Sequence, residues 1–271
     1  MTVDEPWTGP GRGAPSPEHC VPDVVRSLSA GHELVPVWEN EAGGLTYRFT
    51  IGDECRYVKW SPLGNGIDLR GEVARLLWAA PYTRVPEVLD HGTDHTGSWI
   101  VTRDLGAPSA VEIPWRQNPA AATAAIGTGL RVMHDSLPID RCPFTWARKD
   151  RLTAARVWVT RHPEFVLPHE FERMSPNDAV AILDVAPTDD LVVCHGDPCA
   201  PNTLVNPDGT WAAHVDFGAL GVADRWADIA VATWSAGWNY GWDWQQSVLD
   251  AYGIDLDREK MTYYRLLWAL G

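Results

Sequence analysis

The sequence predicts an α+β fold in two parts, antiparallel strands first and helices after. Between residues 34 and 102, short runs rich in β-branched and aromatic residues alternate with Gly- and Asp-containing turns, which is the pattern of a meander. Beyond Gly106 the composition shifts to Ala-rich and apolar-periodic stretches of helical length. A third observation locates the chemistry. Inside the helical part, two apolar runs each end on a carboxylate in a Gly-containing loop: Val192-Val193-Cys194-His195-Gly196-Asp197 and His214-Val215-Asp216-Phe217-Gly218.

A chain of 271 residues is long enough for one large domain or for two lobes sharing a cleft. The expected division is a tail at 1–17, a strand-rich part at 18–105 and a helical part at 106–271. Residues 1–17 are rich in Pro and Gly and hold no apolar run, so a disordered tail is expected there, neither a secretion signal nor an anchor. No apolar stretch has the length of a membrane span. The formal charge of −14, with no cluster of Lys and Arg, argues against a nucleic-acid partner. That charge suits a cationic substrate, and equally a solvated acidic surface. The five cysteines, Cys20, Cys55, Cys142, Cys194 and Cys199, lack CxxC spacing, which argues against a disulfide framework or a zinc site. Reduced thiols and a cytoplasmic location are expected.

Taken in order, 21–28 reads as a short helix stopped near Gly31. Strands follow at 34–38, 45–51 and 56–60, and Gly43-Gly44 marks the first turn between them. Lys59 is a charge among apolar neighbours on the third strand. Glu72 lies in a helical stretch whose stripe is Val73, Leu76 and Leu77. By themselves the pair reads as a strand-edge residue and a solvated helix face. Two more strands are expected at 85–88 and 98–102, separated by a polar turn at 90–94, and a connection at 103–106 leads to the helices. Those are read at 120–134, 149–160, 229–235, 245–252 and 258–270, with a mixed segment at 162–190. Glu164, Glu170 and Glu172 in that segment are candidates to meet amines, or simply exposed carboxylates. Trp234, Trp238, Trp242 and Trp244 crowd one stretch, either as core or as an aromatic wall of a binding site.

The two carboxylate loops suit phosphoryl transfer, in which the protein positions a nucleophile and holds metal ions against phosphate oxygens. Asn202 and Asp216 offer hard oxygen ligands for magnesium. Asp197, at the head of its loop, is then the group that accepts a proton from an attacking hydroxyl. His195-Gly196-Asp197, Asn202 and Asp216-Phe217-Gly218, in that order, resemble the catalytic and metal loops of the protein-kinase-like fold. With Gly196 and the run Ala223-Asp224-Arg225-Trp226-Ala227-Asp228-Ile229-Ala230, the chain is similar to the aminoglycoside phosphotransferase family, especially its 3'-type enzymes.

The resemblance spans the chain from about His32 onward and implies a bilobal fold, with a small antiparallel-sheet lobe and a larger, mostly helical one. It implies ATP, or GTP, with Mg2+, and transfer to a hydroxyl of a small molecule, an aminoglycoside first, with antibiotic resistance as the outcome. It assigns Lys59 and Glu72 to the nucleotide phosphates, lays the Gly43-Gly44 loop over them, and makes His134 structural. Departures bear on the acceptor. Many relatives have Arg where this chain has Ala219, and 3'-type relatives carry acidic residues around positions matching Trp238-Asn239 and the C-terminal Trp268-Ala269-Leu270-Gly271. The acceptor site is therefore expected to draw on Glu164, Glu170, Trp238, Asn239 and the carboxylate of Gly271. Two other readings stay open: a kinase of a less cationic hydroxyl compound, and a non-catalytic nucleotide-binding module.

Overall fold

Alternating large side chains build the first part of the structure, a computed structural model that describes residues 20–40, 42–67, 69–146, 148–162 and 164–270. The expected tail at 1–17 and the carboxylate of Gly271 lie outside the described residues. The chain divides into two units, Met1–Ala107 and Pro108–Gly271.

In the first unit, helix α1 (Asp23–Leu28) precedes strands β1 (Val35–Glu39), β2 (Leu45–Ile51) and β3 (Glu54–Pro62), helix α2 (Leu69–Ala79), and strands β4 (Val88–Thr93) and β5 (Gly97–Arg103). The strands form one antiparallel sheet in the order β1-β2-β3-β5-β4. On β2 the period of two turns Leu45, Tyr47 and Phe49 inward, where they join Val58, Val101 and Val25 of α1 in a buried cluster. Helix α2 packs against β4 and β5 through buried Val73 and Leu76. Strand β4 begins three residues later than the expected one, and Asp90 to Thr93 belong to it rather than to a turn. It is an edge strand with a largely exposed face, so polar side chains there cost little, and the alternation that would reveal a strand is missing.

The second unit contains α3 (Pro119–Ser136), α4 (Arg148–Arg161), α5 (Pro176–Leu183), β6 (Leu191–Cys194), β7 (Thr203–Val205), β8 (Trp211–His214), β9 (Gly221–Asp224), α6 (Trp226–Tyr240), α7 (Gln245–Tyr252) and α8 (Arg258–Leu270). Asn118 caps α3 by accepting from the Ala121 N–H, with Pro119 in the first turn. Small residues let α3 pack closely against α7: a Cβ on Gly127 would stand 2.4 Å from the Val248 carbonyl oxygen. Helix α6 runs at the centre, with every residue from Trp226 to Gly237 buried, in contact with α3, α7 and α8. It is longer than the expected 229–235 because Gly237 does not end it; the Trp242 ring packs on that glycine instead. Strands β6 and β9 form one antiparallel ribbon, and β7 and β8 another.

Candidate active site

Register brings the carboxylate loops together. Thr203 pairs with His214 at one end of the β7–β8 ribbon, so Asn202 and Val215 leave from the same end, joined by the Val215 N–H donating to the Asn202 carbonyl at 2.9 Å. Cys194 pairs with Gly221 at one end of the β6–β9 ribbon, which sets the loop after β6 beside the turn after Asp216. Gly196 is where they touch: its φ is +91°, and a Cβ there would lie 2.4 Å from the Ala219 carbonyl oxygen and 2.7 Å from the Ala219 Cβ. Only glycine fits both the left-handed backbone and that approach.

His195 bridges the same two loops. Its Nε2 lies 3.0 Å from the Val215 carbonyl oxygen, and its Nδ1 accepts from the Asp197 N–H at 3.3 Å. A carbonyl can only accept, so the ring proton sits on Nε2. Asn202 donates from Nδ2 to the Asp197 carbonyl oxygen at 3.0 Å, which turns its Oδ1 the other way. Asp216 has a φ of +69°, a conformation that non-glycine residues adopt rarely and chiefly where the surroundings hold it. Burial raises the pKa of the Asp197 carboxyl, and the nearby Asp216 carboxylate raises it further. Two acidic groups so close repel one another until a cation lies between them, and the amide and carboxylate oxygens of Asn202 and Asp216 are the donors magnesium takes.

A network under this loop holds it in place. Asp228, in the first turn of α6, accepts from the His195 N–H at 2.6 Å and the Gly196 N–H at 2.8 Å. It also meets His134 Nε2 at 3.0 Å. His134 Nδ1 lies 2.8 Å from the Tyr252 hydroxyl, which accepts from Arg225 at 2.9 Å. Burial pushes the Tyr252 hydroxyl up to about 12, so it remains a donor. His134, Cys194 and Asp228 lie within 4.8 Å of one another, a spacing that would suit a metal. The His134 and Asp228 atoms are already matched to partners, and the group reads as structural.

In the first unit, Lys59 on β3 and Glu72 on α2 form an ion pair, Nζ to Oε1, at 2.9 Å. Glu72 is buried, so removing Lys59 would leave its charge poorly solvated. The Gly43-Gly44 turn is closed by Asn40: its Oδ1 accepts from the Gly44 N–H at 2.7 Å and the Ala42 N–H at 3.1 Å. Gly43 has a φ of +78° and donates to the Asn40 carbonyl at 3.0 Å. Asn65 ties the turn to the end of β3 by donating to the Ala42 carbonyl and to Ser61 Oγ.

The sequence model of the phosphotransferase enzyme family matches residues 36–264. The chain belongs to that family. It is 34% identical to the aminoglycoside 3'-phosphotransferase of Streptomyces fradiae, over 90% of this chain and 97% of that one. Among solved structures, an aminoglycoside-3'-phosphotransferase of type VIII superposes with a TM-score of 0.78 at 28% identity, covering 92% of this chain and 98% of the other. The Streptomyces rimosus 3''-Id enzyme, in complex with ADP and streptomycin, has a TM-score of 0.71 at 30% identity, covering 91% and 95%. These likenesses bear out the protein-kinase-like α+β fold.

The acceptor candidates of this phosphotransferase fall into exposed carboxylates and a group around Trp234, whose ring lies beneath the Arg265 guanidinium at 5.5 Å. Glu164 is exposed, with its carboxylate 4.0 Å from His162 Nδ1. Glu172 is exposed as well. Glu170 is engaged: Arg265, buried on α8, donates to it at 2.6 Å and to Gln245 at 2.8 Å. Trp238 lies 4.7 Å from Trp234 and 6.0 Å from Trp268, ring centre to ring centre, with Phe171 against Trp234. Trp234 and Trp238 thus belong to a packed cluster on α6 and α8, while Trp242 lies over Gly237. Asn239 donates back to the Ser235 carbonyl at 2.8 Å.

Three residues carried no assigned role in the sequence reading. Asp228 entered only as part of the run 223–230 that carries the resemblance, just ahead of the helix expected at 229–235, and falls in the first turn of α6. Ser235 gave no signal at all. Arg151, on α4, sits over the Trp146 ring at 4.1 Å; burial lowers its pKa, while Asp197 and Asp228 favour its charge.

Proposed function

We propose that this protein transfers the γ-phosphoryl group of ATP to a hydroxyl of an aminoglycoside, at the 3' position, and so confers resistance in the cytoplasm. The observation that supports it most is the convergence of Asp197, Asn202 and Asp216 on loops held by the β7–β8 and β6–β9 registers. Family membership and the similarity to an enzyme solved with ADP and streptomycin add to it. A non-catalytic module would not need all of these groups together with the Lys59–Glu72 pair.

In this reading Asp197 orients the acceptor hydroxyl and takes its proton as the oxygen–phosphorus bond forms and ADP leaves. Asn202 and Asp216 would hold magnesium, which supplies charge neutralisation on the phosphate oxygens. Lys59, fixed by Glu72, and the Gly43-Gly44 turn are the groups of the first unit assigned to the phosphates. Reduced thiols fit a cytoplasmic enzyme, and none of the five cysteines is joined to another in a disulfide.

One set of observations favours a less cationic acceptor within the same class. Glu170 is matched to Arg265, and Trp238, Asn239 and Ala269 offer no carboxylate for an ammonium group leaving water.

The test is product analysis with ATP, Mg2+ and a panel of kanamycin-like aminoglycosides, their 3'-deoxy analogues and uncharged hydroxylated antibiotics. Phosphorylation that disappears with the 3'-deoxy compounds supports the reading; phosphorylation of the uncharged compounds alone sinks the aminoglycoside assignment. Asp197→Ala is expected to lower turnover on the order of a hundredfold or more with nucleotide binding kept. Asp216→Ala is expected to abolish the magnesium dependence of nucleotide affinity, read by titration with and without the metal.

A further inference from the structure

Helix α6 grips the Asp197–Asn202 loop at a second point. Ala200, fully buried, donates its N–H to Ser235 Oγ at 2.8 Å. Ser235 itself is 1% exposed. The tail's carbonyls are held from outside, Pro201 by Ser109 Oγ at 2.8 Å and Asn202 by the Val215 N–H at 2.9 Å, but its N–H groups have less: Pro198 and Pro201 carry none, and the Asn202 N–H is used inside the loop, on the Cys199 carbonyl at 2.9 Å. Ser235 also differs from several helical hydroxyls in taking a distant backbone N–H. Thr123, Ser136, Thr153, Thr160 and Thr233 each donate to a carbonyl four residues earlier, the ordinary habit of such side chains. Ser235 instead accepts from a backbone group 35 residues away.

Asn239, one turn further along, supports that hydroxyl. Its Nδ2 donates to the Ser235 carbonyl at 2.8 Å and approaches Ser235 Oγ at 3.2 Å. Because the first partner is a carbonyl, the nitrogen must face it, and the amide orientation is settled by chemistry. Asp228 therefore fixes the head of the loop at His195 and Gly196, while Ser235 fixes its tail two residues before Asn202.

We infer that Ser235, backed by Asn239, is a positioning residue for the phosphoryl-transfer loop: through the Ala200 N–H it sets where Asn202 stands relative to Asp197 and Asp216. The inference rests on the phosphotransferase reading for its effect on turnover, but not for its effect on the loop. Without the hydroxyl, the Ala200 N–H is buried with no acceptor, and the loop gains freedom at the residue next to Pro201-Asn202. The metal-holding amide then samples positions from which it does not serve.

The experiment compares the parent with Ser235→Ala, Ser235→Thr and Asn239→Ala. Amide hydrogen exchange of the nucleotide-free proteins is measured first. In Ser235→Ala, protection is expected to fall at Ala200 on the order of tenfold or more, as for a buried N–H that loses its acceptor, with α6 and α7 protected as in the parent. Steady-state kinetics follow. Turnover is expected to drop about tenfold and the magnesium concentration for half-maximal rate to rise, with KM for ATP little changed. Ser235→Thr keeps the hydroxyl and is expected to restore both readouts, and Asn239→Ala to fall between parent and Ser235→Ala. Parent-like protection at Ala200 in Ser235→Ala overturns the inference whether or not the enzyme phosphorylates aminoglycosides. So does a Ser235→Thr variant as impaired as Ser235→Ala. A parent with no phosphotransfer, but with the expected loss of protection, overturns the functional reading and leaves the positioning role standing.

Discussion

At the scale of single residues, the groups that hold the loop are as exposed to test as those that act. Asp228 touches no reacting atom, yet two backbone N–H groups and His134 converge on its buried carboxylate. Asp228→Ala leaves those donors in the interior without acceptors, at about 1–3 kcal/mol for each. A loss of several kcal/mol in urea unfolding is expected, and a loss under 1 kcal/mol would show that water or a shifted side chain replaces the carboxylate. His214 makes a different prediction. It is fully enclosed beside Thr203, with its Nδ1 3.2 Å from Thr203 Oγ1, and burial holds its pKa well below 6.5. The unfolded chain therefore binds a proton near pH 6.5 that the folded one refuses, and stability falls as pH drops below that value. One such group adds a slope of about 1.4 kcal/mol per pH unit. His214→Gln is expected to remove that slope between pH 6 and 5, read from urea midpoints. An unchanged slope would mean that His214 takes up its proton inside the fold.

At the scale of elements, packing distance decides what a sequence can disclose. Gly127 is buried in the middle of α3, where glycine is intrinsically unfavourable, and its reason is the Val248 carbonyl 2.4 Å from any added Cβ. Gly127→Ala is expected to lower stability by about 1–3 kcal/mol through overpacking; a gain, from better helix propensity, would show that α7 can retreat. None of this is visible in the sequence, because the partner lies over a hundred residues away. Elements whose own pattern identifies them were legible: β2, with alternating Leu45, Tyr47 and Phe49, and helices α7 and α8 have the bounds read from sequence. The edge strand β4 was misplaced for want of alternation. Helix α6 was read short because a helix buried all round shows no stripe by which to measure its length. The site follows the same logic. Asp197, Asn202 and Asp216 stood out because their chemistry marks them. The anchoring roles of Asp228 and Ser235 did not, since an acid or a hydroxyl becomes an anchor only when the fold sets a backbone N–H against it.

At the scale of the whole molecule, 36 acidic residues against 22 basic ones give a formal charge of −14, and the two proposed substrates feel it with opposite sign. An aminoglycoside carries several positive charges, and the field of the protein draws it in; a nucleotide triphosphate is anionic and is held off. Both effects weaken with salt, because the Debye length shrinks from about 10 Å at 0.1 M to about 3 Å at 1 M. Raising ionic strength at fixed free magnesium is thus expected to raise KM for a polycationic acceptor and to leave KM for ATP unchanged or lower. Local contacts set how steep the first effect is. In the proposed acceptor site Glu170 is paired to Arg265 and position 269 is an alanine, so in this reading more of the attraction is left to the long-range field. Ala269→Glu, on the half-buried face of α8, is expected to tighten a kanamycin-like acceptor by about 1 kcal/mol, with the gain shrinking as salt screens the new pair. Two KM values that move together with salt would rule out steering by net charge. A parent that binds such acceptors at micromolar KM, with no gain from Ala269→Glu, would place the anionic contacts elsewhere on the chain.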